Sequence, residues 1–442
     1  MIKLNLMSLL IIIALMIVLI SVVNERVFKL QSDIALVLFS SLISVAIALL
    51  GKIPSFTAVR DFAQSVGDFG FEEYLLDCVL CFMLFAGAGK VNMRKFKQNI
   101  RSISLLALLT TVVSSALYGV LFYGISALFG LNMDIWMCIL LGCVVSPTDP
   151  IAATGILNKL GLSKNVTSVI ESESLFNDGT GVALFVFVKS IVSRSGDSNF
   201  LVVMLKEILG ALVVALAVSF VMFQLIKLSK NPVMHIMISI LDVSVSYALC
   251  EHFGFSGVIA SVICGMFFAA QLQKMERRRV VCDPENIYGI FWESAESILN
   301  AILFVMIGLS LLSAQISSSI LILIPAGIVI VIISRFAGVG LSGLCIGRVI
   351  PGGYNLPEFV TLMTWSALKG GLSLALAMGT REFLPEDVYL IFMNIAYITI
   401  FFTVIVQGLT TKNVYLKIEQ HKAKRLRKQS ETETPRFENT NA

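Results

Sequence analysis

The chain has 442 residues, 57% hydrophobic and 14% charged, with a formal net charge of +4. Soluble globular domains run at about 45–50% apolar and about 25% charged. A mean hydropathy of +0.89 therefore excludes an ordinary soluble domain and points to a protein built almost wholly of membrane spans.

The apolar residues fall in blocks of roughly 17–28, the length needed to cross a hydrocarbon core of about 30 Å. The pattern predicts an all-α membrane protein of about thirteen transmembrane helices. In chain order the spans lie near 6–23, 34–50, 74–90, 102–129, 134–157, 166–190, 200–226, 233–251, 255–271, 290–313, 319–343, 357–378 and 386–409. The first block is too long for a signal-peptide core, and Asn24-Glu25-Arg26 follows it in place of a small-residue cleavage site. It is read as a span.

Basic residues alternate across the loops. Loops after odd-numbered spans hold Arg26, Lys90, Arg94, Lys95, Lys164, Lys230, Arg277 and Arg348, whereas those after even-numbered spans hold few. By the positive-inside rule the N-terminus lies outside and the C-terminus in the cytoplasm. The tail from Lys412 to Lys428 is basic and is expected to lie against anionic headgroups, not nucleic acid. The polar stretch 429–442 is expected to be disordered.

Eight cysteines, including the isolated pair Cys78-x-x-Cys81 and Cys282 beside a basic loop, read as packing residues and not as a disulfide framework. His235, His252 and His421 are scattered and build no metal motif. There is no serine–histidine pair within plausible reach and no glycine-rich phosphate loop, so no enzyme chemistry and no cofactor is expected.

Ionisable residues inside spans are costly and are functional candidates by default. Span five contains Ser146-Pro147-Thr148-Asp149-Pro150. The two prolines supply no N–H, so the carbonyls of Cys143 and Ser146 lose their helical partners. Unwound carbonyls beside Asp149 and the Thr148 hydroxyl are hard oxygen ligands for a small alkali cation. In span six, Glu171, Ser174 and Asp178 fall along one helical face, with Glu173 and Asn177 beside them. Three carboxylates on one membrane helix cannot all stay charged and dry, a setting that suits alternation between proton and cation. Arg335 in span eleven needs a carboxylate partner. Lys369 precedes Gly370-Gly371 in span twelve, where a helix break is expected; either carbonyl binding or a part in transport fits it.

These segments resemble the monovalent cation:proton antiporter superfamily, in its sodium/proton exchanger branch with NhaP-type members. The likeness is carried by Phe82–Ala88, Ser146–Pro150, Glu171–Gly181, Ser256–Val258, Phe291-Trp292 with Leu303-Phe304, Arg335 and Lys369–Ala377. The family reads Glu-Gly-Glu-Ser-Leu-Leu-Asn-Asp-Gly where this chain has Glu171–Gly179; Ser172 replaces a glycine, and Lys369 replaces the more common arginine, losing the bidentate fork.

The resemblance implies an inverted-repeat antiporter fold whose broken helices, spans five and twelve, cross near a mid-membrane ion site. It implies an exchanger of Na+ (or Li+) for H+ by alternating access. Asp178 would bind cation and proton in turn, with Asp149, Thr148 and Ser174 completing the Na+ site. Glu173 would pair with Arg335, and Asn177 would hydrogen-bond to the unwound part of span five. Asparagine at this last position goes with electroneutral 1:1 exchange. The implied organisation is scaffold and dimerisation helices in 1–98, core helices in 99–194, linker and scaffold in 195–315, core in 316–411, and the tail in 412–442. A homodimer in the bacterial inner membrane is expected, with Na+, Li+, H+ and membrane lipid as its partners. A K+/H+ antiporter of the same fold is the alternative, and a cation channel a more distant one.

Overall fold

The computed structural model describes residues 6–51, 79–131, 133–149, 151–193, 200–277, 286–313, 318–347 and 350–433. Cys78, Cys282 and the end of the tail lie outside the described residues. The described elements are helices, and the β-type pairing among them is a single isolated bridge between Asp149 and Leu368. Lipid leaves no solvent for an unpaired peptide group, so helices that satisfy their own backbone are the spanning solution for these apolar blocks.

In chain order the helices are α1 (Leu6–Val23), α2 (Ser32–Gly51), α3 (Cys81–Gly89), α4 (Met93–Leu128, with a π turn at Leu105–Thr110), α5 (Ile135–Val145), α6 (Ile151–Lys159), α7 (Lys164–Val192) and α8 (Phe200–Leu228). They continue as α9 (Pro232–His252), α10 (Gly257–Arg277), α11 (Ile287–Ser310), α12 (Ser318–Ile346), α13 (Leu356–Trp365), α14 (Gly371–Met378), α15 (Glu386–Phe401) and α16 (Gly408–Glu433). A π turn at Phe402–Gln407 joins the last two. Side-chain caps set several starts. Asn92 accepts from Arg94 and Lys95, Asp134 from Trp136, Ser163 from Val166, and Asn231 from Val233 ahead of Pro232. Asn355 and Glu358 form a reciprocal capping box at α13.

Ten of the described helices are long and apolar enough to cross a membrane on their own, against the expected thirteen. The difference has a physical cause. The expected spans at 134–157 and 357–378 are each two short helices, α5–α6 and α13–α14, separated by extended backbone. Of the span near 74–90, only 79–90 is described.

Two packing groups surround the site. Helices α4, α5 and α7 pack on one another, α12 packs on α4, and α15 lies against α12 and α14. Helices α8, α9 and α10 form a second group with α3, and α11 packs on α2 and α3. The first group is drawn close by small residues. A Cβ added at Gly142 of α5 would fall on the Ser115 carbonyl of α4, and one at Gly119 would strike Ile139. Gly142→Val is therefore expected to cost about 2 kcal/mol or more by overpacking, read as a lowered melting temperature of the purified protein.

Candidate cation site at the helix crossing

The two interrupted helices meet at their breaks. The Asp149 amide donates to the Leu368 carbonyl at 2.8 Å, which ties the two extended segments together. Gly370 lies extended at φ −116° and ψ −166°. A Cβ there would sit 2.8 Å from the Asp149 Cβ, so glycine allows the close approach. The Lys369 amide donates to Thr403 Oγ1 at 3.0 Å, and its ammonium donates to the Ser146 carbonyl at 2.8 Å. Ser146 caps the C-terminal end of α5, where a cation meets the negative end of the helix dipole. Its carbonyl is one of those that the prolines deprive of a helical donor. Of the two roles open to Lys369, the structure shows the carbonyl contact.

From α7, Ser174 bonds Thr148 twice: its Oγ lies 3.1 Å from Thr148 Oγ1 and also donates to the Thr148 carbonyl. Asn177 Nδ2 donates to Thr148 Oγ1 at 3.0 Å and to Glu173 Oε1 at 3.5 Å, while its Oδ1 accepts from Thr111 at 2.6 Å. Asn177 thus joins α4, the extended segment after α5, and α7. Glu173 takes both arms of the Arg335 guanidinium, at 2.9 and 3.0 Å, with both residues buried. Asp178 takes a hydrogen bond from the Thr148 backbone and lies within electrostatic reach of Asp149, Glu173 and Lys369.

Asp178, Asp149 and Thr148 line a cavity of about 250 Å³, which runs out to Glu171, Lys90 and Glu296. Glu171 is exposed, whereas Ser174 and Asp178 on the same helical face are buried. The three carboxylates of α7 are thereby sorted: Glu171 is wet at the mouth, Glu173 is paired to arginine, and Asp178 faces the cavity. Lys90 bridges Glu296 at 2.5 Å across the mouth.

Of the residues singled out in the sequence, Thr148, Asp149, Ser174 and Asp178 come together, with Asn177, Glu173, Arg335 and Lys369 around them. Thr111, Thr403, Lys90 and Glu296 had not been marked. The hydroxyls of Thr111 and Thr403 carry no sequence signal inside apolar helices. Lys90 and Glu296 sit near span ends, where charges are ordinary. No cluster of three or more histidine, cysteine or acidic residues suited to a resident metal occurs among the described residues.

Paired broken helices crossing at a buried carboxylate define a membrane transporter of the inverted-repeat class. Residues 62–417 match the family model described as "Sodium/hydrogen exchanger, transmembrane". The chain belongs to the sodium/hydrogen exchanger family. It is 28% identical over 409 residues to the Na(+)/H(+) antiporter NhaP of Pseudomonas aeruginosa, covering 89% of this chain and 92% of the relative. It is 27% identical over 389 residues to the Na(+)/H(+) antiporter NhaH of Halobacillus dabanensis, covering 85% and 91%. Its fold matches the sodium proton antiporter MjNhaP1 of Methanocaldococcus jannaschii, at pH 8, with a TM-score of 0.71 and 21% identity. That match covers 93% of this chain and 99% of the other.

The Glu173–Arg335 pair generates a stability prediction. Removing either partner leaves a buried charge without its counterion, a loss of about 3–5 kcal/mol. Arg335→Ala and Glu173→Ala are each expected to melt well below the parent in a thermal-shift measurement, and the double variant should lose less than the sum.

Proposed function

We propose that the chain exchanges sodium or lithium for protons, one for one, by alternating access, and that Asp178 holds cation and proton in turn. Family membership supports transport of this kind, and the observation that carries the residue assignment is the cavity. It ends on Asp178, Asp149 and Thr148, while Glu173, the other buried carboxylate of α7, is engaged by Arg335. Hard oxygen donors suit a small alkali cation. Asp149, Thr148 and Ser174 complete the cation's shell, and Asn177 holds Thr148 in place. Asn177 does not titrate, so the position beside Asp178 on α7 adds no second exchanging carboxylate, which fits a stoichiometry of one proton per cation.

The basic loops favour an N-terminus outside and a C-terminus in the cytoplasm. The mouth formed by Lys90, Glu171 and Glu296 then opens to the cytoplasm. The segments 99–194 and 316–411 act as the moving core, against a scaffold of 1–98 and 195–315 through which two copies associate. The chain carries out transport without enzymatic chemistry or a cofactor, and the ions are its substrates. The reading places it in a bacterial inner membrane.

The test is gradient dissipation in liposomes. The purified protein should collapse an imposed pH gradient on addition of sodium or lithium, and Asp178→Asn should abolish this at equal insertion. A response to potassium alone would move the chain to potassium exchange, and parental rates in Asp178→Asn would remove the carboxylate from its role.

Competition also fixes the sign of the pH dependence. Protons and cations share one carboxylate, so acidification empties the site of cation. Below the site's own pKa, each pH unit should raise the apparent KM for sodium about tenfold while the maximal rate at saturating sodium holds. A KM independent of pH over that range would contradict a shared site.

A further inference from the structure

The family match ends at residue 417, but α16 runs on to Glu433. Part of the stretch beyond the match is docked on the protein. Tyr415 and Ile418 are buried, and α16 packs on both α6 and α13, the second half of one broken helix and the first half of the other.

A set of polar contacts then fixes the tail to the start of α13. Arg425 donates from Nη2 to Glu358 Oε2 at 3.0 Å and to the Gly353 carbonyl at 2.8 Å, and from Nε to Glu358 Oε1 at 3.3 Å. His421 Nδ1 lies 3.0 Å from the same carboxylate. Tyr354 donates to Glu419 at 2.5 Å, and the Lys422 ammonium sits 4.1 Å from the centre of the Tyr354 ring. Glu358 is only 5% exposed and also closes the capping box of α13. At the other end of α13, Trp365 Nε1 donates to Thr410 Oγ1 of α16 at 3.0 Å.

Both ends of a ten-residue helix are thus held by one neighbour. The residues that follow α13 include Leu368, whose carbonyl accepts from the Asp149 amide, and Lys369, whose ammonium donates to the Ser146 carbonyl. A short rigid helix passes a displacement at its start on to its end. A supporting shell sets whether site groups stay within a fraction of an ångström of their working positions.

We propose that the tail segment Glu419–Arg425 positions the ion site. It holds α13, and through it Leu368 and Lys369, in register with Asp149, with Arg425 and Glu358 as the principal positioning pair. The proposal rests on the exchange reading above for its transport consequence, while its mechanical content stands on the contacts alone.

Two measurements on the full-length protein in lipid test it, comparing Arg425→Glu, Arg425→Lys and the milder Tyr354→Phe with the parent. Amide hydrogen exchange over 356–369 should rise about tenfold in Arg425→Glu, since a buried carboxylate loses its partner and faces a like charge. It should rise less in Tyr354→Phe and stay nearest the parent in Arg425→Lys. In sodium-driven proton flux, Arg425→Glu should raise the apparent KM for sodium about threefold at equal inserted protein, and Arg425→Lys should recover most of that loss. Parental hydrogen exchange over 356–369 in Arg425→Glu would overturn the proposal whatever the flux shows. Raised hydrogen exchange with an unchanged sodium KM would overturn it too, by reducing the tail to a structural brace. A parent that moves no cation would sink the exchange reading instead, and is recognised from the parent's flux alone. Should Arg425→Glu not accumulate, Arg425→Gln and Tyr354→Phe carry both assays with the same criteria.

Discussion

Interrupting a helix at membrane depth leaves backbone donors and acceptors with neither a helical partner nor water, and the crossing of α5–α6 with α13–α14 is the arrangement that satisfies them. Two helix ends rich in free carbonyls, those of α5 and α13, meet two ends rich in free N–H groups, those of α6 and α14. The backbone bond from Asp149 to Leu368 pins the meeting point. Lys369 lies on the carbonyl side, on Ser146, and Asp149 lies on the amide side, before α6 and against Gly370. Each charge thus faces the end of opposite polarity. The crossing converts a backbone defect into a polar pocket in the middle of an apolar protein, and every feature of the site is placed relative to it.

The second constraint is the cost of buried charge. Each ionised group at this depth needs a partner or water, and α7 brings three carboxylates into the region. Their separate environments resolve the conflict. Glu173 is neutralised by a two-armed arginine, Glu171 reaches the wet mouth, and Asp178 faces the cavity beside Asp149. Asn177, placed between Glu173 and Asp178 on the helix, spends its amide on Thr148 and Glu173 and its carbonyl on Thr111. It braces the broken helix without adding a titrating group.

Much of this was legible in the sequence, because the membrane makes polar residues conspicuous. Pro147 and Pro150 announced the break in span five, and the carboxylates of span six stood out against apolar neighbours. Lys369 before two glycines marked the second break. Hydropathy alone counts an interrupted span as one crossing, since two short helices around a break are as apolar as one long one; this is why about thirteen spans are read from the sequence, two of them broken, while ten of the described helices are long enough to cross on their own. Thr111 and Thr403 escaped notice because hydroxyls are common in membrane helices, and their roles depend on which backbone they face. In the tail, basic composition carries no sign of a protein partner, and Arg425 finds one in Glu358, a residue 67 positions away.

Proton release on binding measures most directly the proposed trade of a proton for a cation at one carboxylate of the crossing. Sodium added to the solubilised protein in weak buffer, at a pH where the site is protonated, should release about one proton per sodium bound. Asp178→Asn should release none. Sodium binding without proton release by the parent, or full release by Asp178→Asn, would contradict the assignment.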